Sequence, residues 1–130
     1  MSIRAYQIGS PRKRGDGLRV GAVRFLPRGV KKEDYARLAL FDVWLPVLAP
    51  SRGLLRWAKD RERNAQTRRA FFARYAREME ANTDSRQVIR FVAKASLRTA
   101  ISVGCYCVDE TRCHRSVLLN LIRKAKKAHK

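Results

Sequence analysis

Three short apolar stretches, each closed by turn-forming or loop residues, set the kind of fold this chain can reach. Residues 3–8 (Ile-Arg-Ala-Tyr-Gln-Ile) alternate like a half-buried strand and stop at Gly9, Ser10 and Pro11. Residues 18–26 read as a second strand, closed by Pro27, and Pro27-Arg28-Gly29 is a turn. Residues 100–108 (Ala-Ile-Ser-Val-Gly-Cys-Tyr-Cys-Val) are apolar on both faces, which predicts a buried strand. Between the second and third stretches the pattern turns helical. Ser51 is placed to cap a helix over 52–59. A helix over 66–81 puts Phe71, Tyr75 and Met79 on one face. Another over 86–98 turns Val88, Phe91, Val92 and Ala95 inward, and a last one over 113–127 buries Val117, Leu118, Leu121, Ile122 and Ala125. Residues 33–48 read as mixed helix and apolar connection. Strands alternating with helices make an α/β fold with a partly parallel sheet. At 130 residues this is one domain, ending in a basic helix end at about 123–130.

Charge is the second constraint. Thirty Lys and Arg stand against eleven Asp and Glu, a formal net charge of +19. The excess is spread along the chain, with a neutral, strongly apolar stretch at 36–50 that belongs in the core. Such an imbalance calls for a polyanionic partner or an unusual ionic setting. In the helix over 86–98, Arg86, Arg90, Lys94 and Arg98 recur every four residues, which makes one ridge of positive charge. Lys124, Lys126 and Lys127 follow at the end of the last helix, where cations suit the helix dipole. No apolar run is long enough to span a membrane, and Met1–Tyr6 has no signal-peptide core. Three cysteines, an odd number, fit a cytoplasmic protein with reduced thiols better than a secreted disulfide scaffold.

Chemistry concentrates in Cys105-Tyr-Cys107-Val-Asp-Glu-Thr-Arg-Cys113-His114-Arg115. A strand here runs through a loop into a helix whose first turn holds Cys113 and His114. That corner of an α/β sheet is where ligands bind, and free N–H groups at a helix start attract anions. With Arg112 and Arg115 beside it, a thiol at Cys113 is expected below its free pKa of about 8.5 and becomes the candidate catalytic nucleophile. His114 is the candidate proton carrier or orienting group. Cys105 and Cys107 equally suit small core positions. A disulfide from Cys113 to a strand cysteine is possible, although the compartment disfavours a permanent one. Cys105, Cys107, Cys113 and His114 have the residue types of a zinc site. Their spacing departs from the usual knuckles, and neighbouring Cys113 and His114 would point apart, so no metal site and no cofactor is expected. The Cys-x5-Arg signature of cysteine phosphatases is one residue short between Cys107 and Arg112. If the three strands are parallel, Arg24, Arg28, Arg112 and Arg115 emerge at one rim, where planar guanidinium forks suit phosphate.

These residues carry a family resemblance. The stretches Tyr6–Gly9, Gly17–Val20, Arg24–Glu33, Trp44–Ser51, Leu55–Trp57, Phe72–Tyr75 and Cys107…Cys113-His114-Arg115 run in order through most of the chain. They resemble the YeaO-like family, domain of unknown function 488. The resemblance implies a small three-layer α/β domain and little about activity. The chain has Val23 where the family pattern is acidic and Leu26 where it is aromatic. Arg24 and Arg28 are retained, which would keep an anion site without the acid. The first expectation for function is therefore phosphate-anion binding, above all nucleic acid without sequence readout. A small thiol enzyme acting through Cys113 on an anionic or nucleotide substrate comes second, and a non-catalytic interaction module third. No membrane partner is expected and no oligomeric state is assigned.

Overall fold

The computed structural model describes residues 2–26, 29–34, 40–106 and 113–128. Four strands form one sheet: β1 (Ile3–Gln7), β2 (Leu18–Gly21), β3 (Val43–Trp44) and β4 (Ile101–Cys105). Their spatial order is β1-β4-β2-β3, and every pair is parallel. The sheet is thus parallel throughout, where the sequence predicts it only in part. Four helices follow the same chain order: α1 (Arg52–Lys59), α2 (Ala65–Ala81), α3 (Thr83–Ala95) and α4 (His114–Ala128). Short 3-10 turns occupy Lys32–Asp34 and Pro46–Leu48. Among the described residues no helix is long and apolar enough to cross a membrane.

Strand alternation divides the sheet into two faces. Ile3, Ala5, Val20, Ala22, Ile101 and Val103 join Tyr75 and Met79 of α2, Ile89, Val92 and Ala93 of α3, and Leu118, Leu119 and Ile122 of α4 in one core. On the other face, Tyr6, Ile8, Val23 and Phe41 form a second apolar cluster that reaches Cys105 and Cys113. Two strand glycines make this face possible. A Cβ at Gly21 would come within 2.7 Å of the Phe41 ring, and one at Gly104 would strike the Tyr6 ring.

That second face also buries charge. Arg19 is fully buried and donates from Nη2 to Asp16 Oδ2 at 2.8 Å and from Nη1 to the Ser10 carbonyl at 2.8 Å. Its guanidinium lies 4.4 Å from the Tyr6 ring centroid. The Lys13 N–H and the Ser102 hydroxyl close the cluster on Asp16, the first on Oδ2 and the second on its carbonyl. The loop over 11–17, basic in sequence, is folded around this pair.

Candidate functional site

The carboxyl ends of β2 and β4 meet the start of α4. Cys105 ends β4, Cys113 immediately precedes α4, and His114 and Arg115 open that helix. All four are at most 8% exposed. The structure joins Cys105 and Cys113 as a disulfide, with Cα atoms 7.6 Å apart. His114 Nε2 lies 2.8 Å from the Ala22 carbonyl. A carbonyl only accepts, so Nε2 carries the proton and Nδ1 keeps its lone pair. Nδ1 stands 3.7 Å from Cys113 Sγ. The Tyr75 ring meets His114 edge-on at 5.1 Å, and its hydroxyl donates to the Leu48 carbonyl at 2.6 Å.

Arg115 Nη1 donates to the Cys105 carbonyl at 3.3 Å and lies 3.8 Å from Cys105 Sγ. One sulfur therefore faces a guanidinium and the other an imidazole. Burial, opposed by the Ala22 hydrogen bond and aided by the Arg115 charge, pushes His114 down to about 4, so the ring is neutral near pH 7. That state suits an orienting group or acceptor better than a proton carrier.

The expectation that Cys113 and His114 point apart is corrected by this geometry. Cys113 lies outside the helix, so the 100° helical step does not separate it from His114. The ligand atoms of Cys105, Cys113 and His114 lie within 4.8 Å of one another.

The arginines expected at the rim have different fates. Arg24, just past β2, donates to the Pro50 and Ala49 carbonyls at 3.1 and 3.2 Å. Arg115 is turned to Cys105. Arg28, Arg112 and Cys107 lie outside the described residues. Arg86, Arg90 and Lys94 are exposed on α3, while Arg98 is exposed in the turn that follows the helix. Lys124 and Lys127 are exposed near the end of α4, and Lys126 is half-buried. Phe91, expected in the core, is 70% exposed among these cations. The buried stripe of α3 runs instead through Ser85, Ile89, Val92 and Ala93, which leaves Phe91 on the opposite side.

The same rim carries exposed aromatics that the sequence did not mark as a site, and one of them, Trp44, lies in the stretch 36–50 expected in the core but is 37% exposed. Phe25, Trp44 and Tyr106 are exposed aromatics tied together through the backbone. Trp44 Nε1 donates to the Val23 carbonyl at 2.7 Å, and the Tyr106 hydroxyl to that of Phe25 at 3.1 Å. Between α1 and α2 opens a cleft of about 520 Å³ lined by Ser51, Leu54, Trp57, Arg74, Arg77 and Glu78. Arg61 and Arg74 stack on Trp57 at 4.4 and 4.5 Å. Tyr75 has one sequence signal, its place on the apolar face of α2. The Ala22 carbonyl has none, because a backbone acceptor is visible only once strands are paired.

A family model described as "DUF488-N3a: Active DUF488-N3 subclade" matches residues 3–126. No curated protein and no solved structure matches the chain.

Proposed function

We propose, from the premise that the chain belongs to the DUF488-N3a family, that it is a thiol-dependent enzyme acting on an anionic substrate at the carboxyl rim of its sheet. The family description agrees with the resemblance read from the motifs, and the word "active" in it favours catalysis. The observation that carries the reading is the approach of the unprotonated His114 Nδ1 to within 3.7 Å of Cys113 Sγ, in a tautomer fixed by Ala22. In the reduced protein this nitrogen orients the Cys113 thiol by accepting its S–H. Arg115 supplies fixed positive charge 3.8 Å from the companion sulfur of Cys105. Exposed Phe25, Trp44 and Tyr106 offer ring faces for a planar base, so nucleotides are the substrate class favoured.

Alkylation tests this directly. After reduction, iodoacetamide should modify Cys113 about tenfold faster than it modifies glutathione at the same pH. A nucleotide in excess should slow that reaction. Labelling of Cys113 at or below the glutathione rate, or no labelling, overturns the reading.

A second reading has its own observation. Arg86, Arg90 and Lys94 are exposed along α3 with Phe91 standing between them, and α4 packs beside α3 and ends in Lys124 and Lys127. Cations flanking a bare aromatic suit a single-stranded nucleic acid, whose phosphates and bases they meet in turn. Binding of a labelled oligonucleotide should fall steeply with salt. Phe91→Ala should cost about 1–3 kcal/mol. Affinity indifferent to both changes removes this reading.

A further inference from the structure

The geometry points to a site for one soft divalent cation, of the zinc class, held by Cys105 Sγ, Cys113 Sγ and His114 Nδ1. This inference uses the same side chains as the proposed thiol chemistry and changes what they do there, from a nucleophile pair to a ligand set.

Four observations converge on it. The three ligand atoms come from the end of β4 and the start of α4, consecutive elements of the chain, and lie within 4.8 Å of one another. All three residues are buried, so an ion among them would be shielded from bulk water. His114 shows the outer hydrogen bond that metal-bound imidazoles have: its far N–H is held by the Ala22 carbonyl at 2.8 Å, which aims the near nitrogen at the sulfurs. Arg115 Nη1, 3.8 Å from Cys105 Sγ, gives an N–H partner to a metal-bound thiolate.

Charge and spacing agree. Two thiolates and one neutral imidazole cancel the charge of a divalent ion, whereas two buried thiolates alone would be costly. The Cα atoms of Cys105 and Cys113 stand 7.6 Å apart, wider than the roughly 4.4–6.8 Å usual for a disulfide. An ion standing between two sulfurs accommodates a wider pair. Soft thiolate and imidazole donors select zinc over magnesium or calcium. Three protein ligands leave one tetrahedral position for a fourth group, the arrangement of a catalytic rather than a closed structural zinc.

The disulfide and the metal exclude each other. A phosphine reductant delivers two electrons to the Cys105–Cys113 bond and becomes its oxide, taking oxygen from water, and two thiols result. Binding of the cation then releases two protons, one from each thiol.

The test is a Co²⁺ titration of the phosphine-reduced full chain without oxygen, read by near-ultraviolet sulfur-to-cobalt charge transfer. One equivalent should produce the band, and Zn²⁺ should bleach it. Cys105→Ser and His114→Gln should each weaken binding at least about tenfold, with circular dichroism reporting that each variant is folded. Absence of the band in the reduced wild-type chain overturns the inference, and so does a band of full intensity in folded Cys105→Ser. Iodoacetamide labelling run alongside separates the two readings. No cobalt band with rapid Cys113 labelling defeats the metal site and leaves the thiol enzyme standing. Cobalt binding with Cys113 inert once the ion is stripped does the reverse.

Discussion

Arg19 and Asp16 show how far a single side chain can depart from its local pattern. In β2 Arg19 alternates with apolar Leu18 and Val20, which reads as an outward position. Its burial comes from the preceding strand and loop: Tyr6 of β1 lies against the guanidinium, and the loop over 11–17 supplies Asp16 and the Pro11 carbonyl. These partners are close in sequence, but neither strand alternation nor helical period relates them to Arg19, so the pattern does not reveal the burial. Burial raises the Asp16 pKa, but the Lys13 N–H and the Arg19 guanidinium outweigh it and hold the carboxyl below its ordinary value. A depressed folded-state pKa contributes stability that is fully present above the unfolded value. That stability is lost as pH falls below about 4 and through the folded value. Urea melts should therefore show no Asp16-dependent change between pH 5 and 7, and a loss on acidification that Asp16→Asn lacks. At neutral pH Asp16→Asn should cost about 3–5 kcal/mol, because it leaves the Arg19 charge buried without its counter-ion. A cost under about 1 kcal/mol would mean that the carbonyls of Ser10 and Pro11 suffice for Arg19.

Elements were legible where local chemistry decides them. Ser51 before an apolar-periodic run predicts a helix over 52–59, and α1 spans those residues with Ser51 Oγ accepting from the Leu54 N–H at 3.1 Å. The last helix was equally plain from its period. β3 was not: two residues within an apolar stretch carry no alternation, and Val43 and Trp44 become a strand only by pairing with Val20 and Gly21. The Cys113–His114 corner was legible in its residues and misjudged in its directions, because the helix starts one residue later than the pattern suggests. Ser51 does more than cap. Its N–H and hydroxyl both donate to the Glu78 carboxylate, which fastens α1 to α2 beside the cleft. Ser51→Ala removes the cap and one of these bonds, and should cost about 1–2 kcal/mol in a denaturant melt. Ser51→Thr keeps a hydroxyl and should recover most of it. Equal losses in both variants would put the effect in packing rather than in the cap.

At the scale of the whole molecule, a net charge of +19 on 130 residues sets two responses to salt that run in opposite directions. Cations crowded on a small surface repel one another and work against the compact state. Ion pairs from Arg4, Arg12 and Arg19 to Asp16 and Asp42 offset a small part of this repulsion. Raising ionic strength from about 0.01 to 0.15 M shortens the screening length from about 30 to 8 Å, so the melting temperature should rise. Oligonucleotide affinity should fall over the same range, because phosphate contacts release counter-ions. The combined variant Arg86→Gln, Arg90→Gln, Lys94→Gln separates general repulsion from a dedicated surface. It removes three of the nineteen net charges, all from the exposed face of α3. If that face binds nucleic acid, the salt slope of binding should drop by about 2–3, close to one unit per lost contact. Low-salt stability should meanwhile rise by about 1 kcal/mol, or about 4 °C. A variant that gains stability but binds with the parent's slope would show the charge on α3 to be solvated surface, and would leave the buried cysteines and His114 as the place where this fold does its work.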